Sequence, residues 1–159
     1  MSGQGRLSPL GSARERYLRL SEVGVEPRGN EPQVPPSLVK AAEGFELDDA
    51  VIYQAWELAR CAPGLKSGEQ RALLFLAAAS LVNLRRGSTR LPLEGDALEK
   101  LLEDLGADQG DRRAVRKLIA DSLKDKAATG LIGQGDDYAP FVVDAGCLYL
   151  QRMRSFELR

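Results

Sequence analysis

The sequence predicts a mainly α domain of the α+β kind: a compact bundle of about four or five helices with a small C-terminal β-hairpin or three-stranded sheet. Two observations predict it. Apolar residues recur at i, i+3, i+4 and i+7 in successive segments between Asp48 and Gly130, each bounded by capping residues, glycine or proline. The period then shortens to two in "PFVVDAGCLYL", where β-forming residues flank an Asp-Ala-Gly turn.

The first 36 residues read differently from the rest. "SARERYLRLSEVG" suits a short helix with Tyr17, Leu18 and Leu20 on one side. "VEPRGNEPQVPP" then carries four prolines and a glycine in twelve residues, which is loop chemistry. The expectation is a flexible, partly ordered arm and linker over 1–36, and a helical domain ending in a hairpin over 37–159. In "LDDAVIYQAWELARCA", Ile52, Ala55, Trp56 and Ala59 form one stripe, so Trp56 is expected in the core. Asp48 or Asp49 suits its start, and "APGL" ends it. "SGEQRALLFLAAASLVNLRRG" opens with Ser67 and Gln70 at capping-box spacing, closes on Gly87, and is apolar on more than one side. Such a helix belongs at the centre.

"GDALEKLLEDLGA" repeats the pattern with Leu98, Leu101, Leu102 and Leu105 and stops at Gly106. "GDRRAVRKLIADSLKDKAATG" turns Val115, Leu118, Ile119 and Leu123 inward and Arg112, Arg113, Arg116 and Lys117 mostly outward, with Gly130 as its stop. An isolated hairpin is marginal in water, so a third strand is expected from Leu131–Ile132 or Arg90–Leu93.

Composition removes several function classes. The chain has 159 residues, enough for a core without disulfides or a structural metal. With 22 basic and 23 acidic side chains the net charge is -1, so nucleic-acid affinity would require a local patch. Cys61 and Cys147 match neither a disulfide framework nor a zinc spacing and read as reduced, packed thiols of a cytoplasmic protein. The longest apolar run, Ala72–Val82, is too short for a bilayer, and no membrane partner is expected.

Catalytic chemistry is equally sparse. No GxxxxGK[ST] loop occurs, and "GLIGQGDD" has no following lysine. With no histidine, the commonest general base and metal ligand are both absent. The carboxylate pairs Asp48/Asp49, Glu103/Asp104 and Asp136/Asp137 read as helix ends or loop residues, and Ser67, Ser80 and Ser88 lack an activating base. No catalytic, cofactor-binding or metal-binding residue is expected. The concentrated charge is Arg112, Arg113, Arg116 and Lys117, followed by Lys124 and Lys126. Interleaved Asp111, Asp121 and Asp125 favour a solvated face with local ion pairs, while contact of the four leading cations with DNA is the sharper alternative.

Two stretches resemble a known family. "EQRALLFLAAASLVNLRRGSTRLPLE", Glu69–Glu94, is similar to the N-terminal helical domain of the RecD-type alpha subunit of exodeoxyribonuclease V. "APFVVDAGCLYLQRMRSFE" resembles the end of that domain, a "PLVLDG…LYL.RY…YE" pattern. It matches at Pro140, Val142, Val143, Asp144, Gly146, Leu148, Tyr149, Leu150, Arg152, Phe156 and Glu157. Met153 stands where the family often has an aromatic, and Phe156 replaces a usual tyrosine.

The resemblance spans about Val51–Glu157 and implies a non-catalytic domain. Such a domain anchors a helicase motor to a RecC-like subunit in double-strand break repair and recombination, meeting DNA through the parent complex. ATP and Mg²⁺ would belong to motor domains, whose motifs are missing here, so the chain is expected to be a fragment. Tyr149, Arg152, Arg154 and Phe156 are of the kinds enriched at interfaces and are the expected partner contacts. The rivals are a small DNA-binding module using 111–126 and a stand-alone interaction protein.

Overall fold

The structure, a computed structural model, describes residues 9–22, 25–28, 31–44, 49–60, 65–124, 132–134 and 141–150. In chain order the elements are α1 (Pro9–Leu20), α2 (Pro36–Gly44), α3 (Asp49–Arg60), α4 (Ser67–Arg85), β1 (Arg90–Pro92), α5 (Ala97–Asp104), α6 (Gln109–Lys124), β2 (Ile132–Gln134), β3 (Phe141–Asp144) and β4 (Cys147–Leu150). The mainly helical fold with a small C-terminal sheet is therefore present. It has six described helices and four strands, more than expected, because α2 forms and both candidate third strands are used.

Helix α4 is central: every residue from Ala72 to Ser80 is buried, and α3, α5, α6, β1 and β4 all pack against it. Burial on all sides is what a helix apolar all round requires. Its N-terminal cap lies one residue earlier than the sequence spacing suggests, at Lys66, and uses only the carboxylate half of a capping box. The Glu69 carboxylate accepts the Lys66 N–H at 3.1 Å, and Gln70 is instead buried. At the other end Gly87, at φ +90°, closes the helix. Its N–H donates to Leu84 O and that of Ser88 to Asn83 O, the paired bonds of a Schellman stop.

The expected arm contributes to the core. Tyr17, Leu20 and Val34 are buried with α3, while Leu18, expected beside them, is 40% exposed. Tyr17 meets Tyr53 edge-on at 5.6 Å and Trp56 at 5.9 Å. Trp56 is fully buried, as its stripe predicts, and its indole N–H donates to Pro32 O at 2.9 Å. Arg16 holds Glu31 at 2.8 Å, and Glu31 also accepts the Arg28 N–H. Prolines that cannot extend a helix thus still run as a strap over α3, fixed by one indole and one ion pair. A boundary at residue 36 does not separate these described residues from the core.

The sheet order is β1-β4-β3-β2, with β1–β4 and β4–β3 antiparallel and β3–β2 parallel. The β3–β4 turn is two residues long. Asp144 pairs with Cys147 inside the ladder, and Ala145 (φ 51°) and Gly146 (φ 75°) make the reversal. Two successive positive φ values are the geometry whose twist suits a right-handed strand pair. Register sorts the side chains into two faces. Leu91, Leu148, Phe141 and Ile132 share the face buried in the helical core. Arg90, Pro92, Cys147, Tyr149, Val142 and Asp144 share the other.

Candidate functional site

The cations singled out in the sequence lie at the corner between α5 and α6. Leu98, Leu101, Leu102 and Leu105 anchor α5, and Gly106 ends it at φ +86°. The Gly106 N–H reaches Glu103 O and the Ala107 N–H reaches Leu102 O, a second Schellman stop. A Cβ on Gly106 would lie 2.7 Å from Ser37 O, so the corner is packed directly on the start of α2. Two residues later Asp108 caps α6 reciprocally with Asp111. Each backbone N–H donates to the other's carboxylate, at 3.0 and 2.7 Å.

On one flank of this cap, Arg71 of α4 grips Asp111 with two N–H groups, at 2.7 and 3.2 Å. Its guanidinium also lies 5.5 Å from the centre of the Phe75 ring. Burial pushes the Asp111 carboxyl up. The Arg71 hydrogen bond, the Asp108 backbone N–H and the Arg71 charge outweigh it and hold the group below its ordinary value. The hydrogen bond to Asp111 raises Arg71 in turn. Asp111 was expected to offset its neighbours along α6; it belongs instead to a partner 40 residues away.

On the other flank Glu99 of α5 serves two arginines, lying 2.9 Å from Arg116 Nε and 3.3 Å from Arg112 Nε. Each of these guanidinium groups also donates to a backbone carbonyl, Arg112 Nη1 to Ala107 O at 2.8 Å and Arg116 Nη1 to Leu93 O. Arg112 and Arg116 are thus partly inward staples between helix and loop, whereas Arg113 is exposed. An open cleft of about 300 Å³ lies at this point, lined by Glu99, Gln109, Arg112, Arg113 and Arg116. Lys117 takes no part in it. It sits 81% exposed, 4.0 Å from Asp121, in a second cleft where Lys66 and Glu69 supply one charge of each sign. The four cations therefore divide between two sites.

Of the expected partner contacts, Tyr149 lies half-buried on the sheet face turned away from the core, directly across the strand pair from exposed Arg90. Arg152, Arg154 and Phe156 lie outside the described residues, as do Cys61, Asp48 and the Asp136/Asp137 pair. Glu103 and Asp104 are exposed at the end of α5. Ser80 donates to Leu76 O and Ser88 to Arg90 O, each a backbone contact. Among the described residues no group of three or more His, Cys, Asp or Glu is placed to hold a metal, and no helix is long and apolar enough to cross a membrane.

Sequence reasoning missed Glu99 and Arg71. Asp108-x-x-Asp111 does carry a local capping signal on the Arg71 flank. Nothing local ties Glu99 to residues 13 and 17 positions on. No known protein family, curated protein or solved structure matches the chain.

Proposed function

We propose that the chain is a non-catalytic anchoring domain of the exodeoxyribonuclease V alpha type. In this reading it works in the cytoplasm and holds a 5′–3′ DNA helicase motor in register against a RecC-like subunit. The observation that carries the reading is the two-faced C-terminal sheet. Its inner face is consumed by the core; on the other face, where Val142 is buried, the β1–β4 edge sets half-buried Tyr149 across from exposed Arg90, residue types enriched at interfaces. The same hairpin carries the family-like words "FVVDAGCLYL". The domain contributes geometry and makes or breaks no bond; ATP and Mg²⁺ act on the motor.

The test is co-elution and calorimetry of the purified chain with the RecC-like subunit of the same organism. A one-to-one complex that survives raised salt and is weakened at least about tenfold by Tyr149→Ala is the expected result. Failure to form any complex would sink the anchoring role.

A further inference from the structure

We infer that the cleft between α5 and the first turns of α6 is a binding site for a phosphate group. The inference is independent of the anchoring role. Two guanidinium groups, of Arg112 and Arg116, share the Glu99 carboxylate there and a third, of Arg113, lines the same cleft, leaving a surplus of two positive charges among its lining residues. Arg112 and Arg116 stand one helical turn apart and would repel each other, yet they are held close by Glu99 between them.

Each is fixed at two of its nitrogens, by Glu99 and by a backbone carbonyl. Their Nη2 groups have no hydrogen-bond acceptor among the described residues, and Arg113 has neither an acceptor nor an ion-pair partner among them. Structural stapling accounts for Arg112 and Arg116 but leaves Arg113 unexplained.

The chemistry selects the ligand. A guanidinium fork offers parallel N–H donors that match two oxygens of a phosphate, and side chains already pinned lose little freedom on binding. The surplus of two charges suits a phosphate dianion or adjoining phosphodiesters. The Gln109 side chain lines the same cleft at the start of α6, where the helix dipole favours an anion. A cleft of about 300 Å³ has room for the phosphate and part of the group that bears it.

The experiment is a heteronuclear NMR titration of the full chain at low salt, following the arginine Nε signals. Inorganic phosphate is one probe and a short single-stranded oligodeoxynucleotide the other. The site predicts saturable shifts centred on Arg112, Arg113 and Arg116, and Arg113→Ala lowers affinity by about tenfold or more. Lys124→Ala, an exposed cation elsewhere on the same helix, changes it by less than about twofold.

Saturation by the oligonucleotide at lower concentration, displaced by phosphate, assigns the site to a nucleic-acid backbone. Saturation by phosphate with no advantage for the oligonucleotide assigns it to a small phosphate compound. Shifts that stay linear through the millimolar range for both probes overturn the site. Equal weakening by Arg113→Ala and Lys124→Ala also overturns it, because it would show only diffuse charge.

Discussion

The two flanks of the α6 cap use the same residue types to opposite ends. On the Arg71 side, one guanidinium meets one carboxylate through two hydrogen bonds, and the carboxylate also caps the helix. The carboxylates of Asp111 and Asp108 outnumber the one guanidinium, and both Asp111 oxygens are filled. On the Glu99 side, one half-exposed carboxylate serves two arginines and a third stands by. A closed pair of this kind is a fastening. An open cluster keeps attraction to spare for something outside the chain. The contrast explains why a run of charges in a sequence says little about function until the long-range partners are known.

The largest expected effect breaks both flanks at once. Gly106→Ala forces alanine into φ +86° and drives its Cβ to 2.7 Å from Ser37 backbone, so the corner must move. A loss of about 3 kcal/mol or more in unfolding free energy is expected, from strain plus collision. Gly87→Ala is the control, at φ +90° with nothing within 4 Å of the added atom, and should cost about 1–2 kcal/mol. Chemical denaturation measures both. Equal losses would mean that the contact with α2 contributes nothing.

Next in size is the closed flank. Asp111→Asn removes the charge while keeping the shape, and about 1–2 kcal/mol of stability should go with it. The loss stays below that of a fully buried pair because Arg71, 38% exposed, can recover water. Its pH dependence gives a second test. The folded Asp111 carboxyl lies below its ordinary value of 3.8. Its contribution is therefore complete above that pH and disappears as pH falls through the depressed folded value. Wild type minus Asp111→Asn should be constant near neutrality and shrink below about pH 4. A difference that grew on acidification would contradict the ion-pair account.

The contrast between the flanks also marks what the sequence could disclose. Helices bounded by local chemistry were legible: Gly87 and Gly106 stop α4 and α5 where periodicity ends, and Trp56, Leu98, Leu101, Leu102 and Leu105 are buried as spaced. Strand candidates near Leu91 and Ile132 were visible, but the choice between them was not, since the sheet takes both.

Ala145 in the left-handed region was hidden by its neighbour, because Asp-Ala-Gly suggests a turn that leans on Gly146 alone. The strap over α3 escaped for another reason. Proline-rich composition reports the absence of helix and is silent on packing, whereas Val34 is buried in the core and Pro32 accepts the indole N–H of Trp56 in α3. The candidate site was half legible: its arginines stood out, while the acids that sort them into staples and surplus come from other helices.

The smallest expected effect on stability is also the sharpest comparison. Glu99 is 39% exposed, so Glu99→Gln should alter unfolding free energy by less than about 1 kcal/mol. The amide oxygen can still accept from one arginine, so part of the pinning survives. The cleft charge meanwhile rises by one, and phosphate affinity at low salt should increase a few-fold, an advantage that shrinks as salt screens it. On the closed flank the equivalent change, Asp111→Asn, should cost stability and leave phosphate binding unchanged in the folded protein. Opposite responses would establish one flank as a fastening and the other as a receptor. If Glu99→Gln instead lowered stability as much as Asp111→Asn and left phosphate affinity unmoved, both flanks would be fastenings, and Arg113 an ordinary surface charge.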